Sequence, residues 1–240
     1  MAGIKGRLRK IGVLAQMVYA ARTARFRARR WRHRAHIREY LRTHSVRKLQ
    51  LGTGSNVLDG WLNTDIYDDR RNGEVVYLDA RKRFPLPDAS FDLVYSEHMI
   101  EHIPYRDAQR CLRECRRVLR PGGRVRIATP SLERLLSLYG EQMELHRRYI
   151  RWAVETFVKD TDAQLPGVVV NNFFRNWGHQ FIYDRQTLQH ALEAAGFTDV
   201  REWSVGESDR PEVAHLERHG EMIPPEFNVF ETLVLEATRP

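Results

Sequence analysis

From Val46 onward, short apolar runs alternate with amphipathic segments, the pattern of a parallel sheet covered by helices. The runs predict strands over 48–51, 61–66, 75–79, 91–95 and 124–128. A helix is expected over about 105–119, closed by Arg120-Pro121-Gly122-Gly123, which supplies a stop and a turn. Residues 131–180 interrupt the alternation with helical material and then the loop-like Asn171-Asn172-Phe173-Phe174-Arg175-Asn176-Trp177-Gly178-His179, which reads as an insertion forming a lid. A helix over 184–195 with Gly196 just beyond it resumes the pattern, and strands over 200–205 and 230–237 complete it. The expectation is an α/β fold with a Rossmann-like, seven-stranded, mostly parallel sheet.

Residues 5–44 read differently. Arg recurs at short intervals among Leu8, Ile11, Leu14, Val18, Phe26, Trp31, Ile37 and Leu41, which predicts one or two basic amphipathic helices. The chain divides accordingly into a basic helical arm, 1–46, and one domain, 47–240, with its lid insertion at about 131–180. The whole chain carries a net charge of +8 and a pI near 9.8. That balance suggests nucleic acid until its distribution is read: residues 1–48 hold 15 Lys and Arg against Glu39 alone, while the remainder is net −6. Four readings of the arm stay open: a solvated helix packed on the domain, a membrane-surface anchor drawn to anionic lipid, an RNA contact, and an organelle-targeting peptide.

The apolar stretch 11–21 is far shorter than a membrane span requires, and the Arg-rich segment after it suits export poorly. Cys111 and Cys115 stand four apart on the expected helix, share one face and staple nothing distant, in keeping with a reducing compartment. The expected location is cytoplasmic, with peripheral attachment to the inner face of a membrane if the arm binds lipid.

The first chemical signal is Leu51-Gly52-Thr53-Gly54, a strand ending in glycines that let backbone approach a ligand at the sheet edge. A dinucleotide fingerprint needs a third glycine where Val57 stands, and a helix N-terminus for pyrophosphate; residues 55–60 leave no room for that helix. A cofactor without phosphates needs neither. The second strand ends in Asp65, where nucleoside-binding sheets accept hydrogen bonds from ribose hydroxyls.

Further motifs follow in order: Asp79-Ala80, the run Phe84-Pro85-Leu86-Pro87-Asp88-Ala89-Ser90-Phe91-Asp92-Leu93-Val94, the run Ser96-Glu97-His98-Met99-Ile100-Glu101-His102, and Leu119-Arg120-Pro121-Gly122-Gly123. With Gly52, Gly54 and Asp65, they make residues 47–130 resemble the class I S-adenosylmethionine-dependent methyltransferases, in the small-molecule branch sometimes called type 11. The resemblance implies that Gly52, Thr53 and Gly54 lie beside the methionine part of S-adenosylmethionine, Asp65 binds the ribose, Asp79 and Ala80 bind the adenine, and Ser96, Glu97 and His98 border the cofactor and transfer site. The segment after Gly54 is shorter than in most relatives. A looser resemblance, carried by Trp177-Gly178-His179, Tyr183-Asp184, Ala195-Gly196-Phe197, Gly206-Glu207-Ser208 and Glu231-Thr232-Leu233, is to a subgroup associated with glycan and cell-envelope pathways.

An alcohol acceptor has a proton to lose, and histidine suits a general base. His179, in the aromatic loop, is the first candidate and His102 the second. Glu97, His98, Glu101 and His102 have the outline of a metal cluster, but no third ligand stands at metal spacing, and no metal is expected. Phe173, Phe174 and Trp177 either stack on the acceptor or pack in the core; Glu207 and Asp209 either meet acceptor hydroxyls or face water. The expected function is O-methylation of a sugar hydroxyl on a saccharide or glycolipid. The alternatives are methylation of another small molecule or lipid, such as a polyketide or quinone, and an RNA-associated protein, against which the acidic domain argues. Oligomeric state is not legible.

Overall fold

The computed structural model describes residues 32–67, 74–140 and 143–240, and the chain forms two units, Met1–Thr43 and His44–Pro240. In the first unit residues 32–43 form a helix, α1, in which Arg42 Nη2 meets Glu39 Oε1 at 2.6 Å across one turn. The rest of the expected arm helices lie outside the described residues.

The second unit is built on one seven-stranded sheet: β1 (Lys48–Leu51), β2 (Leu62–Asp65), β3 (Val76–Tyr77), β4 (Phe91–Glu97), β5 (Leu119–Pro130), β6 (Thr198–Trp203) and β7 (Thr232–Thr238). Their order is β3-β2-β1-β4-β5-β7-β6, parallel from β3 to β5, with β7 antiparallel to both β5 and β6. The central strands read as near-continuous apolar runs because both faces are covered: Leu49, Leu51, Leu62, Leu93, Val94 and Tyr95 are all buried.

Helix α2 (Tyr105–Val118) explains its own sequence. Ala108, Cys111, Leu112, Cys115 and Val118 recur at helical spacing and form its buried stripe, with both cysteines free on that face. The helix stops at Leu119 as the glycines beyond it predict, but Arg120-Pro121-Gly122-Gly123 is not a plain turn. Leu119 pairs with Phe91 and Arg124 with Leu93, so the four residues bulge out within β5. Gly122 N and Gly123 O bond Arg239 O and Arg239 N, each at 2.8 Å, which ties the bulge to the chain end beyond β7.

The insertion holds three helices, α3 (Leu132–Ser137), α4 (Glu144–Phe157) and α5 (Pro166–Arg175). Residues 171–175, read from sequence as loop, are therefore helical; Pro166 starts α5, and Val169, Val170 and Phe173 bury one side of it. Together with Leu135, Tyr149, Ile150, Ile182 and Phe227 they form a second core. Beyond it, α6 (Arg185–Ala194) is capped by the Asp184 side chain, and α7 (Pro225–Glu231) occupies ground expected to begin the last strand.

Between β1 and β2 there is no helix, as the spacing predicts. Asn63 locks this short connection by bonding Leu58 N and Leu58 O, both at 3.0 Å. Leu58 and Trp61 then pack with Val213 and Leu216 against Leu93 and Tyr95, covering that face of the sheet. Among the described residues, no helix is long and apolar enough to cross a membrane.

Candidate active site

The C-terminal ends of β1 and β4 converge on a cavity of about 380 Å³, which Asp65 at the end of β2 does not line. Gly52, Thr53, Gly54, Glu97 and His98 line it, with Asn56, Arg218, His219 and Met222. Gly52 has φ +65°, and a Cβ there would meet Met99 Cβ at 2.7 Å, so both backbone and space demand glycine. Gly54 also has positive φ, but a Cβ there meets nothing within 4 Å, because its open side faces the cavity. The Thr53 side chain is committed elsewhere: its hydroxyl bonds Thr64 O at 3.2 Å beneath the turn.

Asp65 accepts from Gly54 N at 2.9 Å through one oxygen and from Tyr67 N at 2.8 Å through the other, which fixes the carboxylate beside the glycine turn. Asp79 and Ala80, just past β3, do not line this cavity. Both Asp79 oxygens are engaged: Arg81 Nε reaches Oδ1 at 2.9 Å, and Arg81 Nη2 and Lys82 Nζ reach Oδ2 at 3.1 and 3.2 Å. The Arg81 hydrogen bond, with Lys82 adding to it, outweighs burial and holds this carboxyl down at about 2. Ser96, at the end of β4, is buried with no hydrogen-bond partner for its hydroxyl.

Glu97 has an architectural task. Its carboxylate accepts from the backbone N–H groups of Arg218 and His219, each at 2.9 Å, and from Asn56 Nδ2 at 3.3 Å, which pins residues 218–219 onto the cavity. The segment before them is held from below. Arg126, fully buried on β5, bonds Glu217 at 2.6 Å and its cross-strand neighbour Glu236 at 2.7 Å, while Glu217 also accepts from Gly206 N. Arg124 joins this group through Glu236 and Asp209. Asp209 is thus an ion-pair partner within the domain, and Glu207 bonds Arg126 through its main-chain oxygen; neither side chain lines the two cavities around His98.

A second cavity, of about 460 Å³, abuts the first and shares His98, His219 and Met222 with it. Its walls are aromatic, from Tyr149, Trp152, Phe157, Phe173 and Trp177. Phe173 thus serves core and cavity together, whereas Phe174 is exposed and lines neither. The polar groups cluster at one end: His98, Glu101, His102, His179, His219 and Glu231. His98 and His102 do not share a helix face. His98 ends the strand with φ +45° and stands 3.3 Å from the buried Glu101 carboxylate; His102 closes the short turn Ile100–His102 and meets the His179 ring at 4.9 Å. Burial alone would push the His98 imidazole down, but Glu101 beside it, helped by Glu231 and Glu97, produces a net rise.

His179 is brought to His102 by main chain. Gln180 N and Phe181 N both donate to Glu101 O, at 2.7 and 3.1 Å. The His179 Nδ1 lies 2.7 Å from Phe173 O; as donor in that bond it leaves the Nε2 lone pair available. Burial holds the His179 imidazole below its ordinary value, the Phe173 bond opposing only in part. Sequence reasoning singled out neither His219 nor Tyr149, and it noted Glu231 only within a run of the looser resemblance, with no role at the site. His219 Nε2 lies 3.2 Å from Glu231 Oε1, and Tyr149 donates its hydroxyl to Glu231 Oε2.

Residues 50–127 match the family described as Methyltransferase domain. An uncharacterized 37.1 kDa protein in transposon TN4556 of Streptomyces fradiae is 34% identical over 76 residues, 32% of this chain, and the chain spans only 21% of that protein. Among solved structures, an S-adenosylmethionine-dependent methyltransferase from Archaeoglobus fulgidus superposes with a TM-score of 0.50 at 19% identity, covering 85% of this chain and 91% of that one. Another from Mesorhizobium loti gives 0.46 at 20% identity, covering 81% and 91%. The glycine turn with its open side, the Asp65 carboxylate beside it and the unpartnered Ser96 hydroxyl fit S-adenosylmethionine, the cofactor of this class. Residues 50–127, which hold β2 to β4 and most of β5, thus match a methyltransferase domain, and the whole sheet, in the order β3-β2-β1-β4-β5-β7-β6, has the fold of S-adenosylmethionine-dependent methyltransferases.

Proposed function

We propose that the protein transfers a methyl group to a hydroxyl oxygen of a small molecule, a sugar hydroxyl of a saccharide or glycolipid being the first candidate. The main support is the seam between the two cavities: His98, His219 and Met222 belong to both, and the second cavity concentrates its polar groups there. A hydroxyl entering that cavity would meet polar side chains only at the end nearest the cofactor cavity. Aromatic walls suit the C–H face of a sugar ring. They suit a flat phenol or quinol as well, and the scarcity of polar groups along Trp152, Phe157 and Phe173 favours that second reading.

When bound, S-adenosylmethionine supplies a methyl group on a sulfonium, already activated for in-line displacement. The chain's residues then have to position and to exclude water. Gly52 and Gly54 would admit the methionine part, Asp65 would take the ribose hydroxyls, and Asp79 with Ala80 the adenine. His179 Nε2, kept neutral by burial, would accept the hydroxyl proton. His102, exposed beside it, would pass that proton to water. The basic residues 1–46 would hold the enzyme on an anionic membrane surface, close to lipid-linked acceptors.

Calorimetric titration with S-adenosylmethionine tests the cofactor half: binding should be lost in Asp65→Ala and Asp79→Ala while both variants remain folded. Profiling with labelled cofactor against glycosides and quinols then tests the acceptor. A well-folded wild type that binds no S-adenosylmethionine would sink the reading, and label appearing on nitrogen or carbon rather than oxygen would sink its O-methyl part.

A further inference from the structure

The aromatic cavity brings Glu101 and His102, from the run with the outline of a metal cluster, together with His179 from the loop after α5. Glu101, His102 and His179 each offer one ligand atom, and these atoms all lie within 4.8 Å of one another. Glu101 is fully buried; its Oε2 accepts from the Thr129 hydroxyl at 3.0 Å, while its Oε1 has the His98 Nδ1 at 3.3 Å as its neighbour, a contact that a cation would share or replace. The Nδ1 of His179 is tied to Phe173 O, which aims Nε2 as the donor atom. Bonds of this kind behind the ligands, from a hydroxyl and a carbonyl, are what orient ligands in metal sites.

We propose that Glu101, His102 and His179 bind one divalent transition cation of the zinc class at the floor of the second cavity. Two imidazoles and one carboxylate form a donor set suited to zinc, iron or cobalt rather than to calcium or magnesium, which take oxygen ligands. Bonds of about 2.1 Å would draw the three ligand atoms closer together than they now lie, and His102, the exposed member, can turn to close the gap. Three protein ligands leave a coordination position open toward the cavity. Where the hydroxyl of the proposed acceptor takes that position, the cation acidifies it so that its proton passes to water, and His179, its lone pair engaged, acts as a ligand instead of a base. Only this last step rests on the O-methyltransferase reading.

The test is zinc titration of the metal-free full chain by calorimetry at mildly alkaline pH, since protons compete with a metal for its ligands. One equivalent should bind with micromolar or tighter affinity, weakened roughly a hundredfold or more in both His102→Ala and His179→Gln. Should His102→Ala lower the thermal transition, His102→Gln replaces it. A wild type without that equivalent overturns the proposal, as does an equivalent that survives in either variant, which would place the zinc on other histidines. Neither cofactor nor acceptor enters the titration, so it can fail while O-methylation stands, and succeed while O-methylation falls.

Discussion

The imidazoles of His98 and His219 lie 4.1 Å apart, centroid to centroid, with planes tilted by 36°. They lie far apart in the domain's sequence, one just after β4 and the other shortly before α7, and stand where the two cavities meet, each backed by a carboxylate, Glu101 behind His98 and Glu231 behind His219. Ring against ring, at van der Waals contact, they form part of the boundary between the two cavities.

This placement makes His219→Ala informative. Losing the ring merges the two cavities and leaves buried Glu231 with Tyr149 alone. The acceptor then loses its alignment, and turnover should fall by about a hundredfold. Affinity for S-adenosylmethionine should change far less, because the glycine turn, Asp65 and Glu97 are untouched. Single-turnover rates set beside calorimetric Kd values check this; a matching loss in both would mean that His219 serves only to hold the cofactor.

Two glycines of one turn should respond in opposite ways. Gly52→Ala places a Cβ against the Met99 side chain in a left-handed conformation, whereas Gly54→Ala meets only that conformational cost, about 1 kcal/mol. Urea unfolding should therefore show Gly52→Ala as clearly the less stable of the pair. Gly54→Ala should stay folded and still lose S-adenosylmethionine, since its new methyl group projects into the cavity. Unchanged cofactor affinity in Gly54→Ala would remove the cavity from the cofactor-binding role.

The sheet could be read from the sequence because strands buried on both faces are apolar without interruption, and α2 because Ala108, Cys111, Leu112, Cys115 and Val118 keep strict helical spacing. The glycine turn and Asp65 follow from strand ends, which are local. His219 and Glu231 were not legible, since their significance lies in what they meet: a histidine on β4's far end and a tyrosine on α4. His179 and His102 are candidates in the sequence, but their juxtaposition is not legible there, because the main-chain bonds to Glu101 that create it leave no trace in residue type. Asn171 to Arg175 misled because asparagines, common in turns, here sit on α5, whose valines set its direction.

Arg126 is the least expected core residue, a fully buried guanidinium between Glu217 and Glu236. Arg126→Met removes the cation between two buried carboxylates, leaving Glu217 with the Gly206 N–H and Glu236 with Arg124, and losing one partner of a buried pair costs about 3–5 kcal/mol. Equilibrium urea unfolding should show a loss in that range. The damage should also reach the cofactor cavity, because Glu217 precedes the Arg218–His219 segment that Glu97 pins. A stability loss under 1 kcal/mol would mean that the carboxylates find water or protons instead, and that the network does not hold this segment.

Asp79 gives the fold an acid limit of its own. In the folded chain Arg81 and Lys82 hold its carboxyl at about 2, against an ordinary 3.8. A carboxyl depressed on folding adds stability that is complete above the ordinary value and disappears as pH falls through the depressed one. Both partners are well exposed, Arg81 to nearly half and Lys82 to more, so the increment is about 1–2 kcal/mol after screening. Wild type should lose it between about pH 4 and pH 2, whereas Asp79→Asn should lack it at neutral pH and show no matching decline. Other carboxyls, Glu114 among them, titrate in both proteins, so the difference between the two unfolding curves is the quantity to follow. Parallel curves across that window would mean that Arg81 and Lys82 contribute nothing through Asp79, and would leave its carboxylate open for the adenine alone.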